Sequence, residues 1–113
     1  SLQQRARISR EWNKFFDQHP IILCPITGDI PFPDLKDLES EESFDLVFDS
    51  MLPQIAPPYM GLPGLSFATS QTKENIPLGV QFISRKFRED LLLNVAYDLE
   101  NYYPKIEPVF PNF

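Results

Sequence analysis

The fold of this chain is decided by residues 61–83, which read GLPGLSFATSQTKENIPLGVQFI. Apolar side chains alternate with small polar ones in the first part, a pattern typical of a half-buried strand, and we predict a strand at 64–69. A second apolar, β-favouring run predicts a strand at 78–83. Turn-forming and charged residues lie between the two runs. The stretch therefore predicts a pair of core strands joined by a tight turn.

Length and composition indicate one globular domain. The chain has 113 residues, of which 42% are hydrophobic and 23% charged, and this balance is typical of a packed core. No apolar run approaches the roughly 20 residues that a membrane helix needs, so we predict no membrane span. The formal net charge of −6 argues against nucleic-acid contact, which requires a basic face.

The single cysteine limits the covalent and metal chemistry of the chain. Cys24 has no second cysteine to pair with, so neither an intrachain disulfide nor a cysteine-based zinc site can form. A reducing compartment is compatible with this usage, and we predict a cytoplasmic location. We predict no metal site and no cofactor, since only one histidine, His19, is present and no phosphate-binding glycine loop occurs.

Working outward from the strand pair, the N-terminal part predicts a helix that leads into a buried strand. Apolar residues recur at helical spacing over 3–18, and Pro20 disfavours helical geometry at the preceding residue. The short apolar run at 21–24 is then typical of a strand. A helix that is followed directly by a strand predicts an α/β fold, in which helices pack on a mixed sheet.

The middle of the chain is proline-rich and acidic. We predict a long acidic loop at 25–43, because periodicity disappears there and loops of this length are uncommon unless they are functional or poorly ordered. A short helix is predicted over Phe44–Leu52, capped by Ser43 or Asp45 and stopped by Pro53.

The C-terminal part predicts one more helix and an extended tail. Apolar residues recur at spacings of three and four over 88–102, and Glu89 and Asp90 suit the positive end of a helix. Pro104 ends this helix. The tail 104–113 is aromatic and proline-rich, which indicates either docking or a frayed terminus.

The residues do not assemble a catalytic centre. His19 is best interpreted as a helix-end residue and Cys24 as a structural thiol. Ser70 and Lys73 match the spacing of an acyl-enzyme motif, but they fall in a predicted turn, where residues three apart do not align as on a helix. We therefore predict no catalytic residue in this chain.

The order of its segments gives the chain a family likeness: it resembles the C-terminal portion of amidase-signature hydrolases, over most of residues 1–113. The helix with Arg, Trp and Phe-Phe, the buried strand and its proline-containing exit, the strand pair and the final helix all follow the family's order. The matching segments are Arg7 to Phe16, Ile21 to Thr27, Pro31 to Pro33, Gly61 to Phe67, Ile76 to Ile83 and Arg85 to Glu100.

The chain also departs from the family pattern. Pro58 stands where the family commonly has Asn, Ala68 where it has Pro, and Asn75 where it has Gly. The family's Gly/Ser-rich signature, with its Ser nucleophile, bridging cis-Ser and Lys base, does not occur in these residues. The resemblance therefore implies that the catalytic residues lie upstream of this chain.

The resemblance implies an amide-hydrolysing parent to which this part contributes core sheet and one wall of the substrate channel. The implied partner is a small-molecule amide, and the residues expected to touch it are Pro25, Ile26 and Thr27, then Tyr59 and Met60. Two alternatives remain open: a non-catalytic binding module on the same scaffold, and part of a tRNA-dependent amidotransferase subunit.

Strands that belong to a larger sheet leave unpaired edges and uncovered apolar faces. Such edges and faces invite pairing with another chain. The sequence therefore also predicts self-association through an exposed sheet edge or face.

Overall fold

A computed structural model describes residues 2–103. Its elements, in chain order, are the helix α1 (Leu2–Gln18), the strand β1 (Ile21–Pro25), a single 3-10 turn (Lys36–Leu38), α2 (Glu41–Ser50), α3 (Leu52–Met60), β2 (Gly64–Gln71), β3 (Pro77–Ser84) and α4 (Glu89–Glu100). The predicted tail at 104–113 lies outside the described residues. Within the described part, no helix is both long and apolar enough to cross a membrane.

The three strands form one sheet in the order β1-β3-β2, and both pairings are antiparallel. β2 and β3 form the hairpin predicted from the sequence, with Leu65 opposite Phe82. β1 pairs with the other side of β3, with Leu23 also opposite Phe82. The predicted α/β class is confirmed, and β3 is the central strand of this sheet.

The hairpin turn is built by one threonine and one asparagine. The Thr72 hydroxyl accepts hydrogen bonds from the backbone N–H groups of Glu74 and Ile76, both at 3.2 Å. The Asn75 N–H donates to the Thr72 carbonyl at 3.0 Å, and Asn75 has a φ of 62°. Asparagine is one of the few non-glycine residues that tolerate this left-handed conformation, so the turn is held by local bonds of its own.

Side chains opposite one another across the strands divide the sheet into two faces. Gln81 lies on one face and bonds to the start of α3, which places α3 on that side. Phe67 lies on the other face, and its ring meets Tyr103, just after α4, at a centroid distance of 5.5 Å. The sheet is thus covered by α3 on one side and α4 on the other, and the buried apolar side chains are Phe16, Met60, Phe82, Ile83 and Leu92.

The ends of α1 and α4 are fixed by polar contacts to the strand β3 and the turn after it. Ser84 is fully buried, and its hydroxyl donates to the Arg88 carbonyl at 3.0 Å. The Arg85 guanidinium donates to the Asn13 carbonyl at 2.6 Å and pairs with Asp17, both in α1. These contacts explain how helices distant in sequence converge at one end of β3.

The region predicted as an acidic loop at 25–43 contains more structure than expected. It includes the 3-10 turn, and α2 already begins at Glu41, two residues before the predicted loop ends. The cap of α2 is Ser40, whose hydroxyl accepts from the Ser43 N–H at 3.1 Å, so the prediction of Ser43 or Asp45 as cap was wrong. Periodicity placed the helix, but the apolar pattern begins one turn after its true start.

A helix after Pro53 was not predicted. Pro53 lies in the first turn of α3, where its missing N–H costs nothing, so it helps to begin a helix where the sequence analysis expected one to stop. Pro57 and Pro58 lie inside α3 and remove two hydrogen bonds from it. Gly61 ends the helix with a φ of 68°, the left-handed conformation typical of a glycine cap.

Gly79 is the glycine whose replacement the sheet tolerates least. A Cβ there would lie 2.9 Å from the Phe67 carbonyl oxygen and 3.2 Å from Ile26 Cδ1. We expect Gly79→Ala to lower the free energy of unfolding by about 1–3 kcal/mol, because the two strands must move apart. Gly28→Ala is the matched control, since its Cβ would meet only ordinary contacts, the nearest at 3.5 Å. Urea unfolding measures both, and equal effects would contradict the close-approach explanation.

The cap of α2 gives a second matched pair. Ser40→Ala removes an acceptor for the Ser43 N–H and should lower the free energy of unfolding by about 1 kcal/mol, whereas Ser43→Ala should change it by less than about 0.5 kcal/mol. The pKa of Glu42 is lowered first by a backbone hydrogen bond and then by the Ser40 side chain. Ser40→Ala should therefore raise the pKa of Glu42, as measured by NMR titration. The cap assignment fails if Ser43→Ala produces the larger change.

Candidate functional site

The loop that follows β1 forms one side of an open cleft of about 570 Å³. The opposite side is the beginning of β3. The cleft lies here because Pro25 is opposite Val80 in the sheet, so the chain leaving β1 must run beside the residues that enter β3. The lining residues run from Pro25 to Pro31 and from Pro77 to Gly79.

Three short hydrogen bonds give this loop its shape. The Thr27 hydroxyl donates to the Asp29 carbonyl at 2.6 Å, and the Asp29 carboxylate accepts from the Ile30 N–H at 2.7 Å. The Gly28 N–H donates to the Ser50 carbonyl, at the end of α2, also at 2.7 Å. The loop is therefore anchored to a helix, although it has no regular structure of its own.

The chemistry of this first cleft is mainly apolar. Its proline, isoleucine and leucine side chains supply contact area, and Asp29 is the one charged residue in its lining. The Asp29 carboxylate already accepts a bond from the backbone. Such a surface can hold an uncharged apolar group, and its few polar groups can orient that group.

A second cleft, of about 410 Å³, lies on the Gln81 face of the sheet. Ile26 lines both clefts, so the loop after β1 forms a partition between them. Polar side chains in the second cleft come from α3 and from the two hairpin strands. The remaining lining is mostly apolar, and the full set is Ile26, Gln54, Pro57, Pro58, Leu62, Gly64, Leu65, Ser66 and Gln81.

Only three of the five residues predicted to contact substrate lie together in the structure. Pro25, Ile26 and Thr27 line the first cleft. Tyr59 and Met60 line neither cleft, because they form the last turn of α3. Met60 is buried at 5% exposure, and the exposed Tyr59 ring lies under the Arg5 guanidinium at 5.7 Å.

Sequence reasoning missed the other side of the first cleft. Pro77, Leu78 and Gly79 belong to it because β1 pairs antiparallel with β3, and the sequence analysis predicted the hairpin without this second pairing. Gln81 was also missed as a residue of the site region. A buried polar side chain in an apolar run was the available signal, since such a group requires hydrogen-bond partners.

The other candidates from the sequence lie apart from the clefts. His19 is exposed and packs its ring against Phe15 at a centroid distance of 4.7 Å. Ser70 lies on β2 and Lys73 in the turn, both exposed, and no hydrogen bond joins them in the described residues. Residues 2–103 also contain no group of three or more side chains suited to a metal ion.

Comparison with models of known protein families shows which family the chain belongs to. The family model described as Amidase matches residues 1–93, which include both clefts and all three strands. The chain belongs to the amidase family. This agrees with the resemblance found in the order of its sequence segments.

Individual members of the family share about a third of the residues. The A subunit of glutamyl-tRNA(Gln) amidotransferase from Desulforapulum autotrophicum is 31% identical over 108 residues, covering 96% of this chain and 21% of that protein. Indoleacetamide hydrolase from Bradyrhizobium diazoefficiens is 32% identical over 93 residues, covering 81% of this chain and 18% of that protein. The amidase chain therefore spans about a fifth of the length of these relatives.

The crystal structure of the corresponding glutamyl-tRNA(Gln) amidotransferase subunit from Thermotoga maritima has the same fold. It superposes with a TM-score of 0.70 at 27% identity, covering 91% of this chain and 22% of that one. One departure from the family pattern now has a geometric explanation. The resemblance implied a glycine at the position of Asn75, and the φ of 62° at Asn75 is one that both glycine and asparagine adopt.

Proposed function

We propose that this amidase chain forms the substrate-channel wall of an enzyme that hydrolyses carbon–nitrogen amide bonds. The observation that carries the proposal is the first cleft, which the anchored loop Pro25–Thr27 lines within a region that matches the amidase family. Its apolar lining suits the uncharged body of a small-molecule amide. The chain supplies shape and contact area to the reaction, and the reacting groups come from elsewhere in the protein.

In the proposed reaction, a serine outside this chain attacks the amide carbonyl. A bridging cis-serine and a lysine move the proton, and backbone N–H groups stabilise the tetrahedral oxyanion. The nitrogen leaves as ammonia or an amine, and water then releases the acid. The role of Pro25, Ile26 and Thr27 is to hold the substrate body against this centre, which lowers the cost of orientation.

A second candidate function is part of an amidotransferase subunit that acts on charged tRNA. It is favoured by the similarity to the glutamyl-tRNA(Gln) amidotransferase subunit over 96% of this chain. In that case the same cleft would hold the amide donor. We propose no nucleic-acid contact by this chain itself, because its net charge is −6 and phosphate binding needs a basic surface. A third, non-catalytic binding function is supported only by the lack of a nucleophile–base pair in residues 2–103.

We place the protein in the cytoplasm, a reducing compartment with which its single cysteine is compatible. Fractionation with compartment markers tests this location.

Amide hydrolysis by the full-length protein is the decisive experiment. We expect release of ammonia from neutral primary amides such as benzamide and propionamide, and labelling of a serine outside this chain by a fluorophosphonate. Residues 1–113 alone should release none. Ser70→Ala in the full-length protein should leave the rate unchanged, because Ser70 lies outside both clefts.

Each alternative gives a different result. Ammonia release that requires charged tRNA identifies the amidotransferase function. Binding of amides without hydrolysis identifies the binding module. Labelling of Ser70 together with loss of activity in Ser70→Ala would overturn the proposed role of this chain.

We further propose that the isolated chain self-associates with a second copy through the edge of β1. This strand is at the edge of the sheet, where alternate backbone groups have no partner strand. At its centre Leu23 is 61% exposed. A two-fold axis near Leu23 would pair two β1 strands antiparallel and cover both leucines.

Light scattering of the 113-residue chain tests this association. We expect a dimer for the wild-type chain and a monomer for Leu23→Lys, since a charge at a strand edge opposes pairing. Leu93→Lys is the matched control, because Leu93 is 62% exposed on α4 and should leave the dimer intact. A monodisperse wild-type monomer at high concentration would contradict the proposal.

A further inference from the structure

Gln81 is a buried polar residue that lines the second cleft. It lies on the central strand β3 and is only 8% exposed. Its Cα partners are Cys24 on β1 and Ser66 on β2. A side-chain amide that is buried at this position requires hydrogen-bond partners.

The side-chain nitrogen of Gln81 makes two long-range hydrogen bonds. Nε2 donates to the Pro25 carbonyl at 3.1 Å and to the Pro53 carbonyl at 2.9 Å. Both acceptors are carbonyl oxygens, so only the nitrogen of the amide can face them, and its two hydrogens are both used. The orientation of the carboxamide is therefore set by its partners.

One of these bonds replaces a hydrogen bond that α3 cannot make. In an α-helix the Pro53 carbonyl would accept from the N–H four residues later, but that residue is Pro57, which has no N–H. A buried carbonyl without a donor is costly. Gln81 supplies the missing donor from the sheet, and this ties the first turn of α3 to β3.

The other bond fixes the end of β1. The Pro25 carbonyl immediately precedes Ile26, the residue that separates the two clefts. The Gln81 nitrogen therefore links the loop of the first cleft to the helix of the second cleft. A backbone bond from the Gly28 N–H to the Ser50 carbonyl also joins these two parts of the chain, three residues away from each of the tied carbonyls.

We propose that Gln81 is a positioning residue that fixes the substrate-contacting loop Pro25–Thr27 against α3 by holding the Pro25 and Pro53 carbonyls together. It acts through the loop Pro25–Thr27 and does not touch the reacting atoms. Its effect on substrate rests on the proposed amidase function, whereas its effect on the loop and the helix does not. A carboxamide is suited to this role because one nitrogen donates two bonds without carrying a charge.

Two substitutions separate hydrogen bonding from packing. Gln81→Met keeps the approximate size of the side chain but has no donor. Gln81→Glu keeps the shape and, when ionised, places a carboxylate against two carbonyl oxygens. Gln71→Met and Gln71→Glu are the matched controls, since Gln71 is an exposed glutamine on β2 without these bonds.

The first readout is amide hydrogen exchange in the 113-residue chain. The Gly28 N–H bonds to the Ser50 carbonyl and the Ile55 N–H to the Met51 carbonyl, so they report on the two tied segments. We expect Gln81→Met to reduce protection at both by about tenfold or more, with a smaller change at the Ser84 N–H of the sheet. The Gln71 variants should change none of them. Equal protection in Gln81→Met and wild type would overturn the proposal.

The second readout is the pH dependence of Gln81→Glu. Burial and the two carbonyls should raise the pKa of the introduced acid above its unfolded value of about 4.3. The protonated acid can donate to one carbonyl, so protection should be partly restored below that value and lost as pH rises through the folded pKa. A Gln81→Glu variant whose exchange follows Gln81→Met at every pH would overturn the proposal, even if both are less stable.

The pH effect must come from the introduced acid itself. No side chain lining the second cleft titrates, and the titratable group opposite Gln81 on the neighbouring strand is the Cys24 thiol. Adding Cys24→Ser to Gln81→Glu removes this thiol, and we expect the same pH dependence. A pH dependence that disappears with Cys24→Ser would overturn the explanation.

The third readout is steady-state kinetics of the full-length protein with benzamide. Loss of positioning should raise KM about five- to fiftyfold with a smaller change in kcat, and the Gln71 variants should behave as wild type. A fall in kcat with unchanged KM would overturn the role in positioning the loop that contacts substrate. If the wild-type protein hydrolyses no amide, the proposed function fails, while hydrogen exchange still decides whether Gln81 ties the two segments.

Discussion

The antiparallel pairing of β3 with strands on both sides is the constraint on which the structure depends. β3 has β1 on one side and β2 on the other, and helices cover both faces. Gly79 allows β2 and Ile26 to approach the centre of this sheet, because a Cβ there would collide with the Phe67 carbonyl. The first cleft exists because the same pairing places the exit of β1 beside the entry of β3.

The prolines of this chain affect which backbone groups have hydrogen-bond partners. Twelve prolines stiffen its connections but remove backbone donors, and two of them lie within α3. One side chain replaces one of these missing donors. Gln81 donates to the Pro53 carbonyl, whereas the Thr72 hydroxyl accepts from two N–H groups in the hairpin turn. A buried polar side chain in this fold is therefore best understood by asking which backbone group lacks a partner.

Apolar side chains are unevenly distributed over the surface of the chain. Large apolar side chains are exposed on β1, α2 and α4, and the chain covers about a fifth of the length of its relatives. In the proposed function, this part shapes the channel and the chemistry is supplied by the rest of the protein. The same exposed surface underlies the proposed self-association of the isolated chain.

The sequence by itself determined the local elements and the family. Alternation placed the hairpin strands, helical spacing placed α1 and α4, and the order of the segments indicated the amidase likeness, since these signals depend on residues close together in the chain. It did not determine the start of α2, the existence of α3, or the pairing of β1 with β3. Ser40 caps a helix whose apolar pattern begins later, and Pro53 begins α3 because the first turn needs no donor from it. Only the tertiary structure decided which residues meet at the clefts. Pro25 and Leu78 lie together because of the register between β1 and β3. The two carbonyls that bond to Gln81 are 56 and 28 residues away from it in the sequence. Contacts of this kind satisfy buried polar groups across the fold, and no local pattern in the sequence encodes them.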